Sequence, residues 1–232
     1  MKPLAIVTGV GPGTGAAIAR RFAQGGYRVA MLARTVERLT ALEAELEDSL
    51  AVPCDVSDPA ALTAAVTDLM DRFGAPKAVV HNAVGGAFGT FRDIDPKVLE
   101  TNFQVNVMAL LHLARLTTPA MIEAGGGSLI VTGNTSAQRG KAGFAGFAPT
   151  KAAQRILAES IARDVGPKGV HVAYLVIDAV IDVPWTRERF KDAPDDHFIA
   201  PADIAGEVFH LSQQPRSAWS FLAEVRPFAE TW

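Results

Sequence analysis

The amino-acid sequence predicts an α/β fold, a doubly wound parallel sheet with helices on both faces, in three layers. Two observations lead to this prediction. Apolar runs with the length of strands alternate along the chain with segments of helical periodicity. These apolar runs are continuous, which is typical of parallel strands that are covered on both faces. Because no linker, repeat or low-complexity segment interrupts the alternation, we treat residues 1–232 as a single domain with right-handed crossovers.

The first half of the chain contains four predicted strands separated by three predicted helices. Asp58 and Pro59 form a typical helix start, and Gly74 is a typical helix stop. The periodicity of the second helix directs four apolar side chains toward the core, namely Val36, Leu39, Leu42 and Leu46. In chain order the predicted elements are Leu4–Val7, Gly13–Gln24, Arg28–Ala33, Thr35–Glu47, Leu50–Cys54, Asp58–Gly74 and Lys77–Asn82.

The second half of the chain continues the alternation with longer helices. Asp95 and Pro96 start a long and unusually apolar helix that we expect to reach Ile122. Two further strands, a helix between them, a last helix and a seventh strand follow. These elements are Ser128–Thr132, Thr150–Val165, Val170–Ile177, a helix after Pro201, and Phe221–Val225.

The composition excludes several classes of function. A formal charge of −3 over 232 residues argues against a nucleic-acid partner, whose binding surface would be basic. The single cysteine, Cys54, excludes a disulfide framework, and the five dispersed histidines argue against a metal site. The sequence predicts neither a signal peptide nor a membrane-spanning segment. We therefore expect a cytoplasmic protein that acts on a small-molecule substrate and has no membrane or nucleic-acid partner.

A glycine-rich turn joins the first predicted strand to the first helix. Its four glycines are Gly9, Gly11, Gly13 and Gly15. Glycines let the backbone approach a ligand closely, and the N-terminus of the following helix offers free N–H donors to a pyrophosphate. Since the turn follows a strand and precedes a helix, it predicts a dinucleotide-binding site.

Residues at the ends of the next strands indicate which dinucleotide binds. Where an NAD site places an acid for the ribose 2′-hydroxyl, this chain has Arg34 and no acid. An arginine there can pair with a 2′-phosphate, which favours NADP over NAD. Asp55 ends the third strand and is a candidate partner for the adenine amino group. The segment 81–86 ends the fourth strand at the crevice that such sheets use for ligands.

These motifs resemble those of the short-chain dehydrogenase/reductase family. Residues 8–15 look like its TGxxxGxG motif, and the other motifs follow in order over essentially the whole chain, as Asp55-Val56, Asn82-Ala83, Asn106 and Lys151. The resemblance implies a Rossmann-like sheet with strand order 3-2-1-4-5-6-7 and hydride transfer between a nicotinamide and a carbonyl or alcohol. It also implies that Val183 lies near the cofactor and that the chain forms a homodimer or homotetramer.

The resemblance further implies a catalytic set of Asn, Ser, Tyr and Lys. Asn106 matches the Asn, whose backbone carbonyl holds a water in the family. Lys151 matches the Lys, which in the family binds the hydroxyls of the nicotinamide ribose and lowers the pKa of the catalytic Tyr. Thr135 is the best match for the Ser, with Asn134 and Ser136 as alternatives.

The Tyr of the catalytic set is missing. Phe147 stands four residues before Lys151, where the family has the tyrosine that donates the proton, and no tyrosine lies between Tyr27 and Tyr174. Phenylalanine has no hydroxyl to donate. Three routes remain open. A water held by Lys151 and Asn106 supplies the proton, or the substrate needs none, or the chemistry has been lost and the fold only binds nucleotide.

The sequence therefore supports one function and one rival. We predict an NADP-dependent oxidoreductase that transfers a hydride to or from a small carbonyl or alcohol and has a non-standard proton donor. Among substitute acids His81 is the best placed, and His112 and Tyr174 are weaker candidates. The alternative, which Phe147 favours, is an NADP(H)-binding protein without turnover, such as a sensor or partner-binding subunit.

Overall fold

The computed structural model describes residues 2–230 and alternates strands with helices throughout that range. A π-helical turn over Gln104–Met108 joins the two parts of the long helix, α4 and α5. The elements are β1 Leu4–Thr8, α1 Thr14–Gln24, β2 Arg28–Ala33, α2 Val36–Glu45, β3 Ser49–Pro53, α3 Pro59–Phe73, β4 Ala78–His81, α4 Pro96–Phe103, α5 Ala109–Glu123, β5 Gly127–Asn134, α6 Ala148–Val165, β6 Val170–Ile177, β7 Val180–Ile181, α7 Pro184–Arg189, β8 Phe198–Ile199, α8 Pro201–Gln213 and β9 Leu222–Val225.

Seven strands form one parallel sheet in the order β3-β2-β1-β4-β5-β6-β9. The central strand β1 pairs on both sides, so that Thr8 lies between Leu32 of β2 and His81 of β4. The predicted order is confirmed, with β9 as the seventh strand of the sheet. The strand order reverses between β1 and β4, and a ligand crevice forms at the carboxyl ends of strands at such a point.

Helices cover both faces of the sheet and bury two apolar clusters. On one face α3, α5 and α6 bury side chains such as Leu62 and Leu110. On the other face α1, α2 and α8 bury side chains such as Phe22 and Val208. Full burial of each large apolar side chain contributes roughly 1.5–3 kcal/mol. This packing fixes the helices, and with them the loops at the carboxyl edge of the sheet.

The long apolar helix belongs to this core. By length and composition alone the stretch Pro96–Glu123 could cross a membrane. In the fold, however, Leu110 and Leu113 on this helix are fully buried in the cluster beneath α3 and α6. The π-helical turn inside it contains Asn106, and turns of this kind are frequent at functional sites.

The helix signals in the sequence are mostly confirmed by the structure. Asp58 accepts hydrogen bonds from first-turn N–H groups of α3, and Asp95 does the same for α4. The prediction that Val36 faces the core is wrong. Val36 is 47% exposed because α2 begins at this residue, whereas Leu39 and Leu42 one turn and two turns later are buried.

The segment after β6 forms a small substructure over the carboxyl edge of the sheet. Strands β7 and β8 pair with each other in parallel, and α7 lies between them in the chain. The Arg187 guanidinium binds both carboxylate oxygens of Asp182, at 2.7 and 2.9 Å, and also the carboxylate of Asp195. The buried Thr186 hydroxyl lies within hydrogen-bond distance of the carbonyl of Val183. These bonds brace the segment that carries Val183.

Candidate active site

The glycine-rich turn packs tightly against the end of β4. Gly9 has a φ of 71°, in the left-handed region, and a Cβ there would lie 2.4 Å from the Cα atom of Ala83. A Cβ on Gly15 would lie 2.3 Å from the carbonyl oxygen of Gly9. Neither position can hold a side chain, so the backbone packing itself requires both glycines.

Gly11 and Gly13 have different surroundings. A Cβ on Gly11 would meet no atom within 4 Å, so the turn is open at this point, just before the N-terminus of α1. A Cβ on Gly13 would lie 2.7 Å from Cγ1 of Val183. The turn is therefore an open cradle with Val183 at its rim. Free N–H groups at the start of a helix fit the pyrophosphate of a dinucleotide in such a cradle.

Asn82 fastens the turn to the sheet. Its Nδ2 atom donates to the carbonyl of Gly9 at 2.9 Å, and its Oδ1 atom accepts from the Thr132 hydroxyl at 3.1 Å. The Thr8 hydroxyl accepts from the Ala83 N–H at 3.4 Å. Asn82 and Ala83 thus support the cradle by fixing its shape.

Arg34 and Asp55 follow β2 and β3 at the same edge of the sheet. The Ser57 hydroxyl and N–H donate to Asp55 Oδ1 at 2.7 and 2.9 Å and hold the pKa of that carboxyl below its usual value. The charge of Arg34 lowers this pKa further. The Arg34 side chain is exposed and has no ion pair or hydrogen bond to the rest of residues 2–230. Val56, by contrast, is buried in the core.

The end of β5 holds the three residues that the sequence predicts as counterparts of the family's serine. Asn134 is the last residue of the strand, and its Oδ1 atom accepts from the N–H of Ser136. Ser136 is buried, whereas Thr135 is half-buried and its hydroxyl makes no hydrogen bond within the described range. Thr135 therefore stays the predicted serine counterpart, with a hydroxyl free for a ligand.

Phe147 is buried immediately before α6, in an aromatic cluster. A Cβ on Gly86 would lie 3.2 Å from the Phe147 ring. The Phe147 ring is 6.4 Å from that of Phe88, which is itself 5.2 Å from that of Phe144. Phe147 therefore packs between the loop after β4 and the start of α6, where it contributes apolar surface and no proton.

Asn106 is fully buried and ties together the loop after β4 and the start of α6. Its Oδ1 atom accepts from the Gly85 N–H at 2.9 Å, and its Nδ2 atom donates to the Thr150 hydroxyl at 2.8 Å. Its backbone carbonyl accepts from Nε2 of Gln154 at 2.7 Å. The side chain of Gln154 thus links Asn106 to Lys151, in the place where the sequence suggested a water.

Lys151 is the buried cation of the site. Its Nζ atom donates to the carbonyl of Thr132 at 3.0 Å and to Oε1 of Gln154. Burial lowers the pKa of its ammonium from 10.5 to about 7, because desolvation disfavours the charged form. A group that titrates near neutral pH is suited to proton transfer.

The substitute acids suggested by the sequence have other surroundings. His81 is fully buried, and its burial together with the charge of Lys151 lowers its pKa to about 3. It is therefore neutral and a poor acid at neutral pH. Burial raises the pKa of Tyr174, whose hydroxyl lies 3.3 Å from Oε1 of Gln154. His112 is half-buried on α5 and makes no hydrogen bond to this network within the described range.

Sequence reasoning missed three polar residues of the network, Thr132, Thr150 and Gln154. A signal exists for Gln154, because a residue three positions after Lys151 shares its face of a helix. A glutamine on that buried face needs a polar partner. Thr132 and Thr150 carry no such signal, since their partners come from distant parts of the chain.

The sheet, the open cradle and the buried lysine define a dinucleotide-binding α/β protein with its candidate active site at the carboxyl edge of the sheet. Residues 3–193 match the family described as short chain dehydrogenase. The chain therefore belongs to the short-chain dehydrogenase family and is an oxidoreductase of that family.

Three relatives illustrate the similarity. The chain is 35% identical to a 1-deoxy-11-beta-hydroxypentalenate dehydrogenase of Streptomyces avermitilis, over 96% of this chain and 82% of that one. It is 26% identical to a 7alpha-hydroxysteroid dehydrogenase of Escherichia coli, over 93% and 88%. The crystal structure of a metagenomic short-chain oxidoreductase in complex with NADP has 30% identity and a TM-score of 0.85, with 97% of each chain covered. The two curated relatives are named for different substrates.

Proposed function

We propose that the protein is an NADP-dependent oxidoreductase that transfers a hydride between the nicotinamide and a small carbonyl or alcohol, with a proton donor other than tyrosine. One observation carries this proposal, namely that the open cradle at Gly11 and the buried Lys151 belong to one hydrogen-bonded unit. Thr132 joins them, since its hydroxyl donates to Asn82 and its carbonyl accepts from Lys151 Nζ. Cofactor binding and proton chemistry thus share one edge of the sheet.

Arg34 favours NADP over NAD as the cofactor. Its exposed guanidinium makes no hydrogen bond or ion pair with residues 2–230 and follows β2, where a 2′-phosphate would lie. The metagenomic relative was crystallised with NADP, which supports the same choice. When bound, this cofactor supplies or accepts the hydride. Asp55 would face the adenine, Gly11 the pyrophosphate, and Val183 and Lys151 the nicotinamide end.

The aromatic cluster favours a substrate with an apolar body. Phe147 belongs to this cluster together with Phe88 and Phe144, and the side chain of Phe88 is 63% exposed to solvent. Ligand pockets are mostly apolar with a few polar groups that orient the ligand. Thr135 and Lys151 are the polar groups we assign to the carbonyl oxygen.

The proposal is tested by cofactor binding followed by turnover. NADPH and NADH are titrated against the protein by fluorescence, and the loaded protein is then offered aldehydes, ketones and quinones. We expect tighter binding of NADPH than of NADH, and reduction of apolar carbonyls at a rate above that of the free cofactor. Equal affinity for both cofactors contradicts the NADP assignment.

A second candidate function is an NADP(H)-binding protein without turnover, acting as a sensor or a partner-binding subunit. The observation that favours it is Phe147, because general acid catalysis typically contributes about 10²–10⁴ to a rate. Tight NADPH binding with no reduction of any acceptor supports this candidate and contradicts the first.

We also propose that the chain works in the cytoplasm as a homodimer or homotetramer. The single cysteine, Cys54, is buried and free, which is consistent with a reducing compartment. On α6 the large apolar side chain of Ile156 is 54% exposed, and an interface between copies would cover it. Sedimentation analysis of the native chain and of Ile156→Lys tests the assembly, with dissociation expected in the variant.

A further inference from the structure

Lys151 has one N–H donor that no protein group uses. An ammonium has three donors. Two of them bind the carbonyl of Thr132 and Oε1 of Gln154, and these are the hydrogen bonds that Nζ makes among residues 2–230. Because Lys151 is only 2% exposed, bulk water does not readily satisfy the third donor. This third donor is therefore left for a ligand of the active site.

Gln154 fixes the position of the ammonium. Its Oε1 atom accepts from Lys151 Nζ and lies 3.3 Å from the hydroxyl of Tyr174. Its Nε2 atom donates to the carbonyl of Asn106 at 2.7 Å. The residue is fully buried, so turning the amide would leave several polar groups unpaired in a low dielectric. Gln154 therefore holds Nζ at a set distance from the π-helical turn.

The other ionisable groups around Lys151 do not serve as acids at neutral pH. His81 of β4 faces it and is held neutral by burial and by the charge of Lys151. Burial raises the pKa of Tyr174 of β6, and the charge of Arg155 on α6 opposes this only in part. Lys151 is thus the group in this part of the described structure that both titrates near neutral pH and has a free donor.

We propose that Lys151 is the proton donor of this active site and that Gln154 is the positioning residue that aims it. This inference rests on the proposed function. When bound, NADPH supplies a hydride to the carbonyl carbon of the substrate. The C=O π electron pair moves to the oxygen, an N–H bond of Lys151 breaks, and the proton passes to that oxygen to complete the alcohol. Lys151 is left as a neutral amine, which regains a proton from water before the next turnover.

The first test follows the titration of Lys151 in the protein without cofactor. The lysine ¹³Cε NMR signal that disappears in Lys151→Arg is titrated with pH in the native chain, in Gln154→Leu and in Gln154→Glu. We expect a native midpoint near 7. Gln154→Leu removes an acceptor from the charged form and should lower the midpoint by roughly one pH unit, and Gln154→Glu should raise it by at least that much.

Controls keep this test decisive. Gln213→Leu makes the same change at an exposed position on α8 and should leave the Lys151 midpoint unaltered. Gln154→Glu keeps the acceptor and the side-chain length, so the test does not depend on Gln154→Leu folding. If the Lys151 midpoint is the same in the native chain and in both Gln154 variants, the positioning role of Gln154 is overturned.

The second test is the pH profile of carbonyl reduction. Reduction needs protonated Lys151, so its rate should fall about tenfold per pH unit above the midpoint found by NMR, and the fall should move with the midpoint in Gln154→Glu. Lys151→Arg should lose roughly 100-fold in rate and also lose this inflection, because arginine does not deprotonate.

The outcomes separate the inference from the proposed function. If the native protein reduces a carbonyl and the pH profile of Lys151→Arg keeps the same inflection, the inference alone is overturned. If the native protein binds NADPH and reduces no acceptor, the proposed function and the inference are both overturned.

Discussion

The nucleotide-binding part and the catalytic part of this site have kept the family pattern to different degrees. Residues 4–83 keep the glycine-rich turn and Asn82, with the backbone packing that requires them. Residues 102–186 keep the buried lysine but have Phe147 where the family has a tyrosine, and Gln154 bound to the lysine. The difference teaches that cofactor binding depends on backbone geometry, and that this geometry tolerates few substitutions. Proton chemistry depends on single side chains, which can change while the fold persists.

The two parts also differ in how they hold charge. Arg34 is exposed to solvent, where salt weakens its attraction for a phosphate and limits the range of that attraction to about 10 Å at moderate ionic strength. Lys151 stands in the interior, where screening is weak and desolvation controls its protonation. We therefore expect salt to weaken NADPH binding and to leave the pH dependence of reduction nearly unchanged.

The largest predicted effect separates cofactor binding from folding. Gly11→Val should weaken NADPH binding about 1,000-fold, because the side chain would fill the cradle that we assign to the pyrophosphate. The thermal unfolding temperature should stay close to native, since a Cβ on Gly11 meets no protein atom within 4 Å. Fluorescence titration and calorimetry measure the two quantities. Gly140→Val, at another open glycine, is the control and should bind NADPH normally.

A second change tests whether the surroundings of Phe147 have the geometry that a catalytic tyrosine at this position would need. Phe147→Tyr should raise carbonyl reduction about 100-fold, because it restores a hydroxyl four residues before Lys151. Steady-state rates at saturating NADPH measure the gain. Phe144→Tyr adds the same hydroxyl to a neighbouring ring of the cluster and should give no gain. An unchanged rate in Phe147→Tyr would mean that the substrate pocket has itself diverged.

A third change tests the choice of dinucleotide. Arg34→Ala should weaken NADPH binding about 30-fold and NADH binding hardly at all, because only NADPH carries the 2′-phosphate. Arg38→Ala removes another exposed arginine, in the first turn of α2, and should have a smaller effect. Equal losses for both cofactors in Arg34→Ala would contradict the assignment of Arg34 to the 2′-phosphate.

The last predicted effect concerns stability in acid. In the folded protein the pKa of His81 is about 3, against 6.5 for an unperturbed histidine. As the pH falls, the unfolded chain therefore takes up a proton at His81 before the folded chain does. The free energy of unfolding should therefore fall by roughly 1 kcal/mol per pH unit as the pH drops from 6.5 toward 3. His81→Gln should flatten this part of the profile in urea unfolding experiments, whereas the exposed His210→Gln should leave it steep.

Much of the fold could be predicted from the sequence, because its signals are local. The apolar runs, the caps at Asp58 and Asp95 and the glycine-rich turn each depend on neighbouring residues, and the strand order follows from the family resemblance. The error at Val36 is also local in origin, since periodicity does not fix the residue at which a helix begins. The missing tyrosine before Lys151 likewise needs no structure to be seen.

Only the tertiary structure decides what surrounds Lys151. The sequence by itself determined the fold class and the cofactor class, and it shows Phe147 four residues before Lys151. It did not determine that Gln154 would bridge Lys151 and Asn106, or that Thr132 would join Lys151 to the cradle through Asn82. The bond from Gln154 to Asn106 joins residues 48 positions apart, and the bond from Thr132 to Asn82 joins residues 50 positions apart, so both depend on sheet register and helix packing. Burial, which sets the pKa of the lysine, is a property of the whole assembled core.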